Sequence, residues 1–171
     1  MKVYVGIDAH TTNFTLATSV APDEDPVNVN TYPAKVSNIA AYCKNLRKKY
    51  GEELEIVTGY EAGTLGFSLK RELDEKGIAC IVIAPSTIAG TNLNRKRKKK
   101  TDKRDAMAIA KCLMTHDYSE VYMPDEEDEA VRDLIRMRQD LKKFQKSTKQ
   151  QIGALCHRHG YHLSLIHISE P

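Results

Sequence analysis

Met1–His10 reads MKVYVGIDAH, and this stretch decides the fold. Val3, Val5 and Ile7 alternate with Tyr4, Gly6 and Asp8, the two-residue period of a β-strand. A short turn at Ala9–Thr12 leads to Asn13–Val20, where Phe14, Leu16, Thr18 and Val20 repeat the alternation. Two alternating runs with so short a connection predict an antiparallel hairpin. The acid at position 8 also breaks any apolar leader core.

Working outward, Pro22–Pro26 is an acidic turn and Val27–Tyr32 a third strand. Ser37 is placed to cap a helix running to Tyr50, with Ile39, Tyr42, Cys43 and Leu46 on one face and Gly51 at its end. Leu54–Tyr60 reads as a fourth strand. Leu65–Lys76 reads as a second helix, with leucines at 65, 69 and 73 and a stop at Gly77. Ile78–Ala84 is a continuous apolar run, as in a strand buried on both faces. The order β-β-β-α-β-α-β predicts an α/β fold, a mixed sheet with flanking helices.

Beyond Pro85 comes the basic run RKRKKK (Arg95–Lys100), then a helix from Asp102 to Met114 with Thr101 at its N-cap. From Asp125 the chain opens with acids, which favour a helix start. Leu134, Met137, Leu141, Phe144, Thr148 and Leu155 then recur every three or four residues or multiples of that. This narrow seam predicts a long coiled-coil-type helix that pairs with another helix. The expected division is a sheet domain over 1–118, a helical connector over 119–161 and a tail over 162–171.

The chain has 171 residues and a net charge of +3. That total hides an asymmetry. Residues 1–90 carry nine basic and eleven acidic side chains, and residues 91–171 carry seventeen and twelve. A basic block beside an acidic sheet points to a polyanionic partner. No run approaches the ~18 apolar residues of a membrane span, so a cytoplasmic protein is expected. Cys43, Cys80, Cys112 and Cys156 are widely spaced with no C-x-x-C, which predicts reduced thiols in the interior.

Four acids are candidates for chemistry. Asp8 ends the first strand, and Glu61 ends the fourth inside GYEAG. Asp102 and Asp105 open the helix after the basic run, and their spacing of three places them on one face with Ala106, Ile109 and Leu113. Taken singly, Asp8 reads as a turn former and the two helix acids as dipole partners. Together they form the arrangement of an RNase H-like metal nuclease. A carboxylate at a buried strand end needs a positive neighbour, and Mg2+ or Mn2+ supplies one through hard oxygen ligands. Two such ions about 4 Å apart would serve phosphodiester cleavage or transfer.

Arg95, Lys96, Arg97, Lys98, Lys99, Lys100, Lys103 and Arg104 put eight cations among ten residues. A solvated loop is the plain reading. Adjacent candidate metal ligands favour phosphate contacts that are independent of base sequence. His10 reads equally as a turn residue or as a contact for a phosphate or an acid-bound water. Cys156, His157 and His159 have no second ligand cluster and read as a helix end.

VGIDAH, YEAGTLGFSLKRELDEKGIACIVIAPS, KTDKRDAMAIA and VYMPDEEDEAVRDLIRMRQDL, in that order, resemble the DEDD transposases of the insertion-sequence one-ten family, relatives of Piv-type DNA invertases. The resemblance runs from Met1 to Tyr161. It implies a RuvC-like N-terminal domain followed by a coiled-coil region, with the family's four acids at Asp8, Glu61, Asp102 and Asp105. It implies an enzyme that mobilises an insertion sequence, with DNA, an element-encoded guide RNA and Mg2+ (or Mn2+) as partners. A homo-oligomer formed through the long helix is expected, in bacterial or archaeal cytoplasm with the nucleoid. The family's serine-bearing C-terminal domain has no counterpart here, and neither Ser164 nor Ser169 is assigned its role. Thr11 stands where a lysine is common.

The final HLSLIHISEP reads like translated adapter sequence from a sequencing library, which would make the natural protein longer. Two other functions stay open on the residues. One is a stand-alone RuvC-like Holliday junction-resolving nuclease; the other is a non-catalytic nucleic-acid-binding module.

Overall fold

The computed structural model describes residues 1–21, 27–86 and 101–162. They fall into two compact units, Met1–Met123 and the chain from Pro124 on. The first contains β1 (Lys2–Ala9), β2 (Asn13–Val20), β3 (Val27–Pro33), α1 (Val36–Tyr50), β4 (Glu55–Glu61), α2 (Ser68–Glu75), β5 (Cys80–Ile83) and α3 (Asp102–Thr115). The second contains α4 (Glu126–Arg158). The basic run Arg95–Lys100, the acidic turn at 22–26 and residues 163–171 of the tail lie outside the described residues. Among the described residues, no helix is long and apolar enough to cross a membrane.

The sheet order is β3-β2-β1-β4-β5. β1, β2 and β3 pair antiparallel, and β4 and β5 run parallel to β1. This is the mixed sheet with flanking helices expected from the element order. β1 is central and covered on both faces, so Val3 through Ile7 are all buried. On one face Val3, Val5 and Ile7 pack with Ile39 and Cys43 of α1 and with Leu69 and Leu73 of α2. Fully burying each such aliphatic chain stabilises the fold by about 1.5–3 kcal/mol. On the other face Tyr4 packs with Ile109, Cys112 and Leu113 of α3, and Ala17 packs with Ala106 and Ala110.

Several boundaries differ from the sequence reading, each for a local reason. α1 starts at Val36 with Lys35 rather than Ser37 at the N-cap. The Lys35 amide donates to the Pro33 carbonyl at 2.7 Å, and the Asn38 side chain donates to the same oxygen at 2.9 Å, which tightens the entry turn. α2 begins at Ser68, not Leu65, because Gly66 is left-handed at φ 55° and its carbonyl accepts the Tyr60 hydroxyl at 2.8 Å. β5 keeps only four residues. The Ile78 amide is committed to the Leu73 carbonyl across left-handed Gly77, closing α2. The outer edge of β5 is covered by an isolated bridge between Ile83 and Glu120, which protects it from foreign strands.

α4 runs for 33 residues. Asp125 caps it, accepting the Asp128 amide at 2.7 Å, and four acids occupy its first turn. None of its residues is buried, and Leu134, Met137, Leu141 and Phe144 are exposed.

Candidate metal centre at the strand ends

Two glycines build the site. Gly6 of β1 and Gly59 of β4 are direct register partners. A Cβ on Gly6 would overlap the Ala106 carbonyl oxygen and the Ala110 amide nitrogen, so α3 rests backbone to backbone on the sheet there. A Cβ on Gly59 would meet Leu113 Cδ2 at 2.9 Å and the Ile81 carbonyl at 3.0 Å. Small side chains on the helix complete the seat, since Ala106 and Ala110 are both fully buried.

Residues two apart on a strand share a face. Asp8 therefore lies on the α3 face two positions beyond Gly6, and Glu61 lies likewise beyond Gly59. Both acids sit one step past the Ile7–Tyr60 pair, at the carboxyl ends of neighbouring parallel strands. The first turn of α3 carries Asp102 and Asp105. Asp102 is half exposed, whereas Asp105 is buried. Thr101 occupies the N-cap as expected, but its backbone carbonyl accepts Arg104 and Asp105 amides while its side chain makes no cap bond.

Asp8, His10 and Asp102 converge. Their ligand atoms all lie within 4.8 Å of one another. His10 Nε2 stands 3.3 Å from Asp8 Oδ2 and 3.8 Å from Asp102 Oδ1. Asp8 Oδ2 and Asp105 Oδ2 are both shielded from solvent. Two carboxylates and an imidazole at this spacing are a donor set that fits one divalent cation. Glu61 and Asp105 are not part of this three-residue group. The sequence leaves His10 open between a turn residue and a contact for a phosphate or an acid-bound water. Its proximity to Asp102 depends on α3 docking, which no local signal encodes.

Lys103 and Arg104 are exposed on the first turn of α3, directly after Asp102 in the chain. Beside His10 and Thr11 opens a cavity of about 560 Å³, with Lys35, Ser37, Ser68 and Lys76 among its lining residues. Cys43, Cys80 and Cys112 are buried, in the interior positions the sequence predicts for them. Burial pushes the Cys43 and Cys80 thiols up to about 11, so they pack as neutral groups. Cys156 on α4 is only partly covered.

Residues 5–159 match the model of a family described as transposase, of the DEDD insertion-sequence one-ten type. The chain is 34% identical over 142 residues to the transposase for insertion sequence element IS1533 of Leptospira borgpetersenii, covering 82% of this chain and 39% of that protein. It is 39% identical over 101 residues to y4qE of Sinorhizobium fredii (strain NBRC 101917 / NGR234), covering 59% of this chain and 25% of that protein. The chain thus spans well under half the length of both curated relatives. Among solved structures, T. thermophilus RuvC in complex with Holliday junction substrate is 11% identical with a TM-score of 0.47, covering 71% of this chain and all of that one. The family model spans nearly the whole chain and includes the strand-end acids and the α3 pair, so the chain belongs to the DEDD transposase family of the insertion-sequence one-ten type.

Proposed function

We propose that this chain is the metal-dependent, DNA-processing part of a transposase, with Asp8, Glu61, Asp102 and Asp105 as its metal-holding acids. The observation that carries the reading is the seat of α3 on Gly6 and Gly59. It delivers Asp102 to Asp8 at the end of the sheet, with Asp105 one turn behind. Mg2+ or Mn2+ held there would supply Lewis-acid stabilisation of the charge that builds on a phosphodiester undergoing cleavage or strand transfer.

The chain's own residues do the rest. Asp8 is fixed by the β1–β2 hairpin, where it pairs with Thr15. Asp105 is held by burial against the sheet. Arg95, Lys96, Arg97, Lys98, Lys99, Lys100, Lys103 and Arg104 would neutralise backbone phosphates beside the acids, without reading bases. Family membership supports DNA as substrate and an element-encoded RNA as guide. The exposed apolar stripe of α4 supports pairing with a second protomer.

Asp8→Asn and Asp102→Asn in the full-length protein test the metal site. Each keeps the side-chain shape and removes a charge, so strand transfer should disappear in both. Transfer that survives both changes rejects the metal site. Neutralising Lys96–Lys100 should flatten the salt dependence of nucleic-acid binding; an unchanged slope removes the basic run from the interface.

A further inference from the structure

We propose that His10 is a ligand of the metal centre, so that the ion is held by an imidazole nitrogen as well as by carboxylate oxygens. The proposal rests on the reading above that the acids hold a divalent cation, and it adds a donor of different chemistry. Nε2 lies 3.3 Å from Asp8 Oδ2 and 3.8 Å from Asp102 Oδ1. Donors bound to one ion at about 2.0–2.2 Å are separated by roughly 3 Å when adjacent and by at most about 4.4 Å when opposite. Both observed separations fall in that window. The imidazole could therefore share one ion with a strand acid and a helix acid.

The backbone explains why it can. The His10 amide donates to the Asn13 carbonyl at 2.9 Å, closing the hairpin turn. That bond anchors the His10 backbone in the turn just past β1, two residues after Asp8. The side chain is about half exposed, at 48%, so an ion can reach Nε2 from solvent. An imidazole changes selectivity. Mg2+ favours oxygen ligands, whereas nitrogen donors suit Mn2+ and later transition ions. The centre is therefore biased toward Mn2+ relative to the same acids without His10.

The test is Mn2+ binding to the 171-residue chain, followed by calorimetry and by pulsed electron paramagnetic resonance. The variants are His10→Ala, His10→Gln and Asp8→Asn. The wild-type chain should show nitrogen coupling to bound Mn2+, and both His10 variants should lose it. Their Mn2+ affinity should fall by about tenfold or more, with a smaller change for Mg2+. Bound Mn2+ without nitrogen coupling in the wild-type chain overturns the proposal, even if the His10 variants bind more weakly. If Asp8→Asn abolishes binding while His10→Ala changes neither affinity nor spectrum, the carboxylate site stands and the His10 ligand falls. A wild-type chain that binds no Mn2+ at millimolar concentration removes both. Circular dichroism of His10→Gln separates loss of binding from loss of fold.

Discussion

Replacing Gly6 with alanine tests how α3 positions the acids. The new methyl would overlap the Ala106 carbonyl oxygen and the Ala110 nitrogen and would lie 3.0 Å from Ala110 Cα. All three are backbone atoms, so no rotamer change relieves the overlap. Carbon contacts settle at about 3.5–4.0 Å, which requires α3 to lift by on the order of 1 Å. Overpacking costs about 1–3 kcal/mol, and rigid backbone on both sides places Gly6→Ala near the upper end, at about 3 kcal/mol. For a domain of this size the melting temperature should drop by roughly 10 °C. Asp102 travels with the helix, so Mn2+ affinity should fall as well. Gly59→Ala is the internal comparison. Its nearest neighbour is the movable Leu113 side chain at 2.9 Å, and about 1–2 kcal/mol is expected. Guanidinium unfolding and Mn2+ titration of the 171-residue chain measure both effects. A Gly6→Ala chain with the wild-type unfolding midpoint would show that α3 does not take its height from that glycine. Lost stability with unchanged Mn2+ affinity would show that this height does not place the acids.

Gly153 lies in α4 with nothing within 4 Å of a built Cβ; Gly153→Ala should strengthen the helix by about 0.5–1 kcal/mol, seen as a higher thermal midpoint in far-ultraviolet circular dichroism. Tyr42 OH lies 2.6 Å from Thr18 Oγ1 and donates to the Asn28 carbonyl at 3.0 Å, so Tyr42→Phe should cost about 1–2 kcal/mol in urea unfolding; no loss would mean that both partners re-pair. The Cys43 and Cys80 thiols are held protonated up to about 11 from an ordinary 9.0. The unfolded chain therefore releases these protons first, and stability should be full below pH 9 and decline toward pH 11, by about 2–3 kcal/mol per thiol. A Cys43→Ala/Cys80→Ala chain should lose that slope, and an equal slope in both chains would assign it to other groups.

Much of the fold was legible because its signals are local. Val3, Val5 and Ile7 announce a strand by their period, and leucines 69 and 73 mark the buried face of α2. The four acids stood out because three of the elements that carry them end or begin there. What stayed hidden depends on contacts between distant segments. Gly6 looks like an ordinary strand residue until Ala106 and Ala110 arrive on top of it. Leu65 has helical spacing, yet left-handed Gly66 and its bond from Tyr60 exclude it from the helix. His10 gains a chemical role only from Asp102, across the whole length of the sheet domain.

That separation has a consequence for how the centre comes into being. Asp8 and His10 are neighbours on a hairpin that can form early from local contacts, but Asp102 follows about ninety residues later. The cluster exists only while the last helix of the domain is docked. An ion bridging the two segments would act as a clasp on that docking, adding about 2.7 kcal/mol when present at a hundred times its dissociation constant. Fraying of α3 would undo the clasp and the centre together, so the chain would offer its acids to a phosphodiester only when its fold is complete.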